Sequence, residues 1–173
     1  ASNLLEGMQG GFNSTSAQHA CEILHRSSSA SAVAITDTEN ILGYCGTGED
    51  SLPHGISPLR TEATRESLKD GKTRVLNSPE EVGLPTKTRG IKAAIIVPLK
   101  IGKSIVGTLK FYYPSASRIT ETQVSIAEGF AQLIATQIAA MELEEQKKLA
   151  TSMELKALQS QINPHFLYNT LNL

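Results

Sequence analysis

IKAAIIVPLKIGKSIVGTLKFYY, residues 91–113, is the stretch of sequence that decides the fold. Its run AAIIV is apolar at consecutive positions, which is typical of a central strand that is covered on both faces. Gly102 lies in a short IGK turn and a second apolar segment follows it, so the stretch predicts a β-hairpin. Pro98 has no backbone N–H, and it therefore predicts a strand end or a β-bulge near that position.

The residues before this hairpin predict two helices and three further strands. Turn-forming Gly, Pro, Asn and Asp residues separate the apolar segments from one another. A long irregular loop is predicted for residues 78–90. The other expected elements are a helix at 14–26, a strand at 31–37 paired with a strand at 41–46, a helix that begins at Ser57-Pro58 and ends at Gly71, and a strand at 73–77.

A long helix is predicted to begin at Thr120. Thr120 and Gln123 have the spacing of a capping box, and Ile119 and Val124 have the spacing of a hydrophobic staple. An apolar stripe follows, then a charged stretch at 142–152 that is typical of a solvated helical linker. The stripe consists of Ala127, Phe130, Ala131, Ile134, Ile138 and Met141.

Together these elements predict an α+β fold, with an antiparallel sheet flanked by helices and a long C-terminal helix after it. The order along the chain is helix, hairpin, helix, strand, hairpin and long helix. We expect an N-terminal extension at 1–13, a globular domain at 14–141, a helical linker at 142–154 and a final segment at 155–173.

Composition excludes several classes of function. The net charge is −1, so no global positive field attracts nucleic acid, and 40% hydrophobic residues are enough for a core. Cys21 and Cys45 form no CxxC pair, so we expect no metal site and interpret both as reduced, buried thiols. His19 and His25 are predicted to lie on an exposed helix face. No Walker-type loop and no GxGxxG occurs, so no cofactor is expected on these residues.

The hairpin and the order of elements are similar to those of GAF domains. In that family VPL, a Gly turn and a Gly-x-Leu strand recur, as they do in VPLKIGKSIVGTLKFYY here. The resemblance extends over residues 17–141 and implies a sensor pocket between the sheet and the loop-helix segment that crosses it. The candidate ligand-binding residues of such a pocket are Cys45, Glu49, Asp50, His54, Thr61, Thr64, Arg65 and Arg89.

A second resemblance lies in QSQINPHFLYNTLN, residues 159–172. From the residues alone, Asn163 is expected to cap a new helix that has Pro164 at its first position. The string nevertheless closely resembles the H-box of the LytS-like sensor histidine kinases. This implies that His165 accepts the phosphate. Asn169, one helical turn after His165, would orient the imidazole or position a hydrolytic water, and Asn163 is the third residue of the implied site. Phe166 follows the histidine, where better-known kinases have an acidic residue.

The LytS-like resemblance also implies partners and a location. A homodimer, a response regulator and an ATP-binding domain that binds ATP and Mg²⁺ are expected, together with a small-molecule ligand of unknown identity. The family's transmembrane helices before the GAF domain imply the cytoplasmic side of a bacterial inner membrane. Two alternatives remain: a ligand-free dimerisation and relay module, and a cysteine-dependent GAF enzyme.

Overall fold

The computed structural model describes residues 12–48, 57–84 and 90–171, with side chains up to residue 161. The elements follow the predicted order, with one added strand and one added short helix. They are helix α1 (Ser14–Ser27), strands β1 (Ala32–Thr36), β2 (Asn40–Gly46) and β3 (Ser57–Pro58), helix α2 (Glu62–Asp70), strand β4 (Arg74–Leu76), helix α3 (Pro79–Val82), strands β5 (Ala93–Ile101) and β6 (Ser104–Tyr113), a 3₁₀ turn (Ala116–Arg118) and helix α4 (Glu121–Leu171).

The strands form one six-stranded sheet in the order β3-β2-β1-β6-β5-β4, and every neighbouring pair is antiparallel. This confirms the predicted α+β class. The β5–β6 hairpin lies near the centre of the sheet, and Gly102 makes its turn with a φ of 61° that favours glycine. Pro98 stays within β5, and the irregularity in pairing comes just after it, between Leu99 and Lys100.

The prediction for Ser57-Pro58 is wrong, because these residues form β3 and not the start of a helix. They pair with Ile41 and Asn40 of β2 at the edge of the sheet. An edge strand tolerates proline, and the residue before a proline favours extended backbone. Helix α2 begins later, after its N-cap residue Thr61.

The predicted loop at 78–90 contains helix α3. Ser78 caps this helix, since its side chain accepts a hydrogen bond from the Glu81 backbone N–H at 3.3 Å. Gly83 ends it in the left-handed region. Residues 85–89 lie outside the described part of the chain.

The two faces of the sheet are covered by different helices. On the first face, helix α1 contacts β2 so closely that the Tyr44 backbone N–H donates to the side chain of Gln18 at 2.9 Å. Helix α4 joins the same face, where the Tyr113 hydroxyl donates to the Gln123 side chain at 3.1 Å. The second face is covered by α2 and α3, which contribute Ala63 and Val82 to its core.

Helix α4 begins as predicted and continues through the Asn163-Pro164 dipeptide. The Gln123 backbone N–H donates to the Thr120 hydroxyl at 3.2 Å, which supports the predicted N-cap. The prediction that a new helix starts at Pro164 is wrong, because one helix extends to Leu171. The predicted stripe is buried at Ala127, Ala131, Ile134 and Ile138 and partly buried at Phe130 and Met141.

The chain divides into two compact units after Ala139. In the second unit, the large apolar side chains between residues 143 and 158 are more than half exposed. Within the described residues, one stretch, Glu121–Gln161, has the length and hydropathy of a membrane span. Its first part is buried like the core helix of a globular domain, with Ile134 0% exposed.

Candidate sensor site and phosphoacceptor segment

Lys110 is the most unusual residue of the second face. It lies in the middle of β6, between Ala34 of β1 and Ile96 of β5, and only 3% of it is exposed. Burial lowers the pKa of its ammonium group from 10.5 to about 8. The Nζ atom donates one hydrogen bond, to the hydroxyl of Thr64 at 3.3 Å. A cation thus lies within a largely apolar layer.

Thr64 of helix α2 contacts this lysine, and it also contacts a second threonine, Thr61. Thr64 is 0% exposed, and its Oγ1 atom lies 2.6 Å from that of Thr61. Thr61 is the N-cap residue, yet its side chain makes no capping hydrogen bond to the helix. Through Thr64, the first turn of α2 contacts Lys110, and the N–H groups of this turn receive no hydrogen bond from the side chain of the N-cap residue.

Aromatic and small side chains surround the lysine. The Nζ atom of Lys110 lies 5.6 Å from the centre of the Tyr112 ring, within the range of a cation–π contact. Burial raises the pKa of Tyr112, whose ring centre is 6.1 Å from that of Tyr44. The small residues of this face are Ala32, Ala34, Ala63 and Ala94, all buried.

Of the candidate pocket residues, the structure brings Thr61 and Thr64 to this cluster. The side chain of Arg65 is 52% exposed, and it donates to the carbonyl of Leu59 at 2.9 Å and lies 3.8 Å from Glu62. These contacts hold Arg65 at the surface of α2. The candidates Glu49, Asp50, His54 and Arg89 lie outside the described residues.

Cys45 belongs to the other face of the sheet, where it meets helix α1. Its Sγ atom lies 3.6 Å from Nδ1 of His25. Cys45, His19 and His25 are all partly buried, so the predictions of a buried Cys45 and of exposed His19 and His25 are wrong. Cys21 is fully buried as predicted, which raises the pKa of its thiol.

Sequence reasoning missed both Lys110 and the Cys45–His25 contact. A signal for Lys110 was present, because it interrupts the apolar run of β6 between Leu109 and Phe111. The Cys45–His25 contact joins residues 20 positions apart through the packing of α1 on β2. Local spacing carries no information about such a contact.

The phosphoacceptor segment lies in the last turns of α4. The backbones of Asn163, His165 and Asn169 are helical, while their side chains lie outside the described part of the structure. His165 and Asn169 are four residues apart, so they share one face of the helix. Among the described residues, no group of three His, Cys, Asp or Glu side chains is placed to bind a metal ion.

Comparison with known proteins agrees with both halves of the chain. Residues 14–139 match the family model "GAF domain", and residues 153–173 match the model "Histidine kinase". The sensor histidine kinase/phosphatase LytS of Staphylococcus aureus strain Mu50 is 38% identical over 164 residues, which cover 94% of this chain. The chain spans only 28% of the length of that relative.

Solved structures share the fold at low sequence identity. The GAF-B domain of DevS from Mycobacterium smegmatis superposes with a TM-score of 0.61 at 18% identity, covering 76% of this chain and 96% of that one. Free methionine-R-sulfoxide reductase from Neisseria meningitidis gives a TM-score of 0.64 at 12% identity, covering 82% and 87%. From its family match and its sequence similarity to LytS, the chain belongs to the GAF domain family and corresponds to the sensor portion of a LytS-like histidine kinase.

Proposed function

We propose that this chain controls the phosphorylation of His165 in a two-component sensor kinase. The observation that carries the proposal is the order of the two family matches, a GAF domain at 14–139 and a histidine kinase segment at 153–173. A signal received by the GAF domain changes the extent to which His165 is phosphorylated. The phosphate then passes to a response regulator.

The chemistry assigned to the segment follows from its side chains. A neutral imidazole is nucleophilic near pH 7, so His165 attacks the γ-phosphorus of ATP, and ADP leaves. Asn169, on the same helix face, positions the imidazole or a hydrolytic water. ATP and Mg²⁺ are bound by the kinase's ATP-binding domain, since residues 1–173 contain no phosphate-binding loop motif. We place this portion on the cytoplasmic side of a membrane-anchored kinase, where ATP is available.

The test is labelling of the full-length kinase with radioactive ATP and Mg²⁺. Wild type should acquire acid-labile phosphate, and His165→Gln should acquire none. His19→Gln, at a partly buried histidine of α1, is the matched control and should be labelled like wild type. The 173-residue chain alone should remain unlabelled. Phosphate on the His165→Gln protein would refute the assignment.

We further propose that the kinase is a homodimer joined through the second unit. Large apolar side chains there are more than half exposed, and a symmetric partner helix would cover them. Sedimentation equilibrium should give a dimer for wild type and a shift to monomer for Leu149→Glu combined with Leu155→Glu. The control is Lys148→Glu, which changes charge on the same helix. The exposed apolar residues are Leu143, Leu149, Met153, Leu155 and Leu158.

The Cys45–His25 contact favours one other function, a cysteine-dependent reaction. A histidine close to a thiol is one way in which a protein makes a cysteine reactive. If the kinase does not use the thiol, Cys45→Ser should leave both signalling and the labelling of His165 unchanged. Loss of signalling in Cys45→Ser, with normal folding, would support a role for the thiol instead.

A further inference from the structure

Lys110 is a buried cation for which the described residues supply no counter-ion. The ion pairs of the described chain join Arg65 and Arg74 to carboxylates of α2, and none involves Lys110. An ammonium group has three hydrogen-bond donors, and here one of them reaches an acceptor, the Thr64 hydroxyl. Buried lysines are normally paired with a negative charge, because an isolated buried charge is strongly disfavoured.

The surroundings of Lys110 do not need a lysine for packing. Its direct neighbours across β1 and β5 are Ala34 and Ile96, both apolar and both at most 1% exposed. A leucine or methionine would fill this position without a charge. The lysine is therefore better explained by something that binds to it than by the stability of the sheet.

A second feature at the same place also favours negative charge. Thr64, the acceptor of the Lys110 hydrogen bond, lies in the first turn of α2, a helix of 9 residues. The N-terminal N–H groups of a helix bind anions, and the Thr61 side chain makes no capping bond to them. The ammonium group, the threonine hydroxyls and the helix N-terminus thus converge on the face of the sheet opposite α1 and α4.

We propose that the GAF domain binds a small metabolite through an anionic oxygen group, a carboxylate or a phosphate, held by Lys110, Thr64 and the first turn of α2. This inference deepens the proposed sensor function, since it assigns a chemical class to the signal. The anion supplies the missing counter-ion and accepts the unused donors of Lys110. The apolar body of the metabolite faces the small residues of the sheet, Ala34 and Ala94.

The test measures thermal unfolding of the 173-residue chain with defined probes. Sodium succinate and sodium phosphate represent the two anion sources, succinamide is the neutral analogue, and sodium chloride at equal ionic strength is the salt control. Wild type should gain about 5 °C in Tm with an effective anion at about 100 times its Kd. An effect of succinate alone identifies a carboxylate, and an effect of phosphate alone identifies a phosphate.

Two lysine variants decide whether the effect belongs to this site. Lys110→Met should bind the effective anion at least about 10-fold more weakly by calorimetry, while Lys92→Met, at an exposed lysine, should bind like wild type. If Lys110→Met fails to fold, Lys110→Gln keeps a donor without the charge and gives the same comparison. The inference is overturned if neither anion raises the Tm of wild type more than chloride does. It is also overturned if both Lys110 variants bind the anion as tightly as wild type.

This outcome is separable from that of the kinase proposal. If His165 is labelled in the full-length kinase but no anion raises the Tm, the kinase proposal is supported and the anion site is refuted. If an anion raises the Tm in a manner that depends on Lys110 but His165 is never labelled, the anion site is supported and the kinase proposal is refuted.

Discussion

The two faces of the central sheet are built from the same strands but from different chemistry. The face under α1 and α4 carries large aliphatic side chains such as Val33, Ile35 and Leu109, each 0% exposed. The face under α2 and α3 carries alanines, threonines and Lys110, which are equally buried. Both sets alternate along β1 and β6, because successive side chains of a strand point to opposite faces. The second face also contains an apolar cluster, with Leu76, Val82 and Ile96, but it adds buried polar groups that the first face lacks. We call the first the aliphatic face and the second the polar face.

The largest expected effect tests how tightly the aliphatic face is packed. A Cβ atom at Gly43 would lie 2.7 Å from the carbonyl carbon of Ala17 and from the backbone nitrogen of Gln18. Backbone atoms of α1 cannot move aside as a side chain can, so Gly43→Ala should lower the free energy of unfolding by roughly 3 kcal/mol. Urea unfolding measures this. A loss below about 1 kcal/mol would show that α1 adjusts freely on the sheet.

The next effect concerns the charge on the polar face. Lys110→Met removes a buried cation and should raise the free energy of unfolding at pH 7 by up to roughly 3 kcal/mol. The reason is the pKa of Lys110, which burial lowers from 10.5 to about 8. A clear loss of stability in Lys110→Met would mean that the lysine supports the fold, and the contrast between the two faces would disappear.

The same lysine gives a pH dependence of known sign. Between about pH 8 and pH 10.5 the unfolded chain holds the Lys110 proton and the folded chain does not. Wild-type stability therefore rises with pH relative to Lys110→Met in this window, and the difference is constant below about pH 8. The raised pKa values of Cys21 and Tyr112 act in the opposite direction, but in both proteins. Urea unfolding at pH 7 and pH 9.5 should show the gap closing.

A smaller effect tests the hydroxyl pair of the polar face. The Oγ1 atoms of Thr36 and Thr108 lie 2.7 Å apart across β1 and β6, and both residues are buried. Thr36→Val leaves the Thr108 hydroxyl without this partner and should cost about 1–2 kcal/mol. The double variant Thr36→Val/Thr108→Val should recover most of the loss, and a double-mutant cycle gives the coupling. Additive losses would indicate that the two hydroxyls act independently.

The smallest effect is a gain, and it is the matched control for Gly43. Gly129 lies within helix α4, and a Cβ atom there would meet nothing within 4 Å. Gly129→Ala should raise the free energy of unfolding by about 0.5–1 kcal/mol, because alanine loses less backbone entropy in a helix. Thermal unfolding measures it. The same glycine-to-alanine substitution should change the free energy of unfolding in opposite directions at residues 43 and 129. This difference would separate the effect of packing from that of helix propensity.

Sequence patterns predicted the elements that rest on local signals. The hairpin around Gly102 and the start of α4 at Thr120 were correct, because turn and cap chemistry act over a few residues. The helix start at Ser57-Pro58 was wrong, because pairing with β2 at the sheet edge outweighed the local signal of the proline. The candidate set for the pocket included Thr61 and Thr64 but not Lys110. The assignment of His165 remains a prediction from the motif.

By itself, the sequence determined the fold class, the family and the order of the main elements, but not strand β3 or helix α3. Periodicity, capping residues and the NPHF motif are properties of neighbours along the chain, and they need no knowledge of contacts. Only the tertiary structure decided that Lys110 is buried beside Thr64, 46 positions away, and that Cys45 faces His25 on the opposite side of the sheet. The physical reason is that burial and charge pairing depend on which elements cover each face. A strand's sequence shows that its faces differ, but not which helix meets each one.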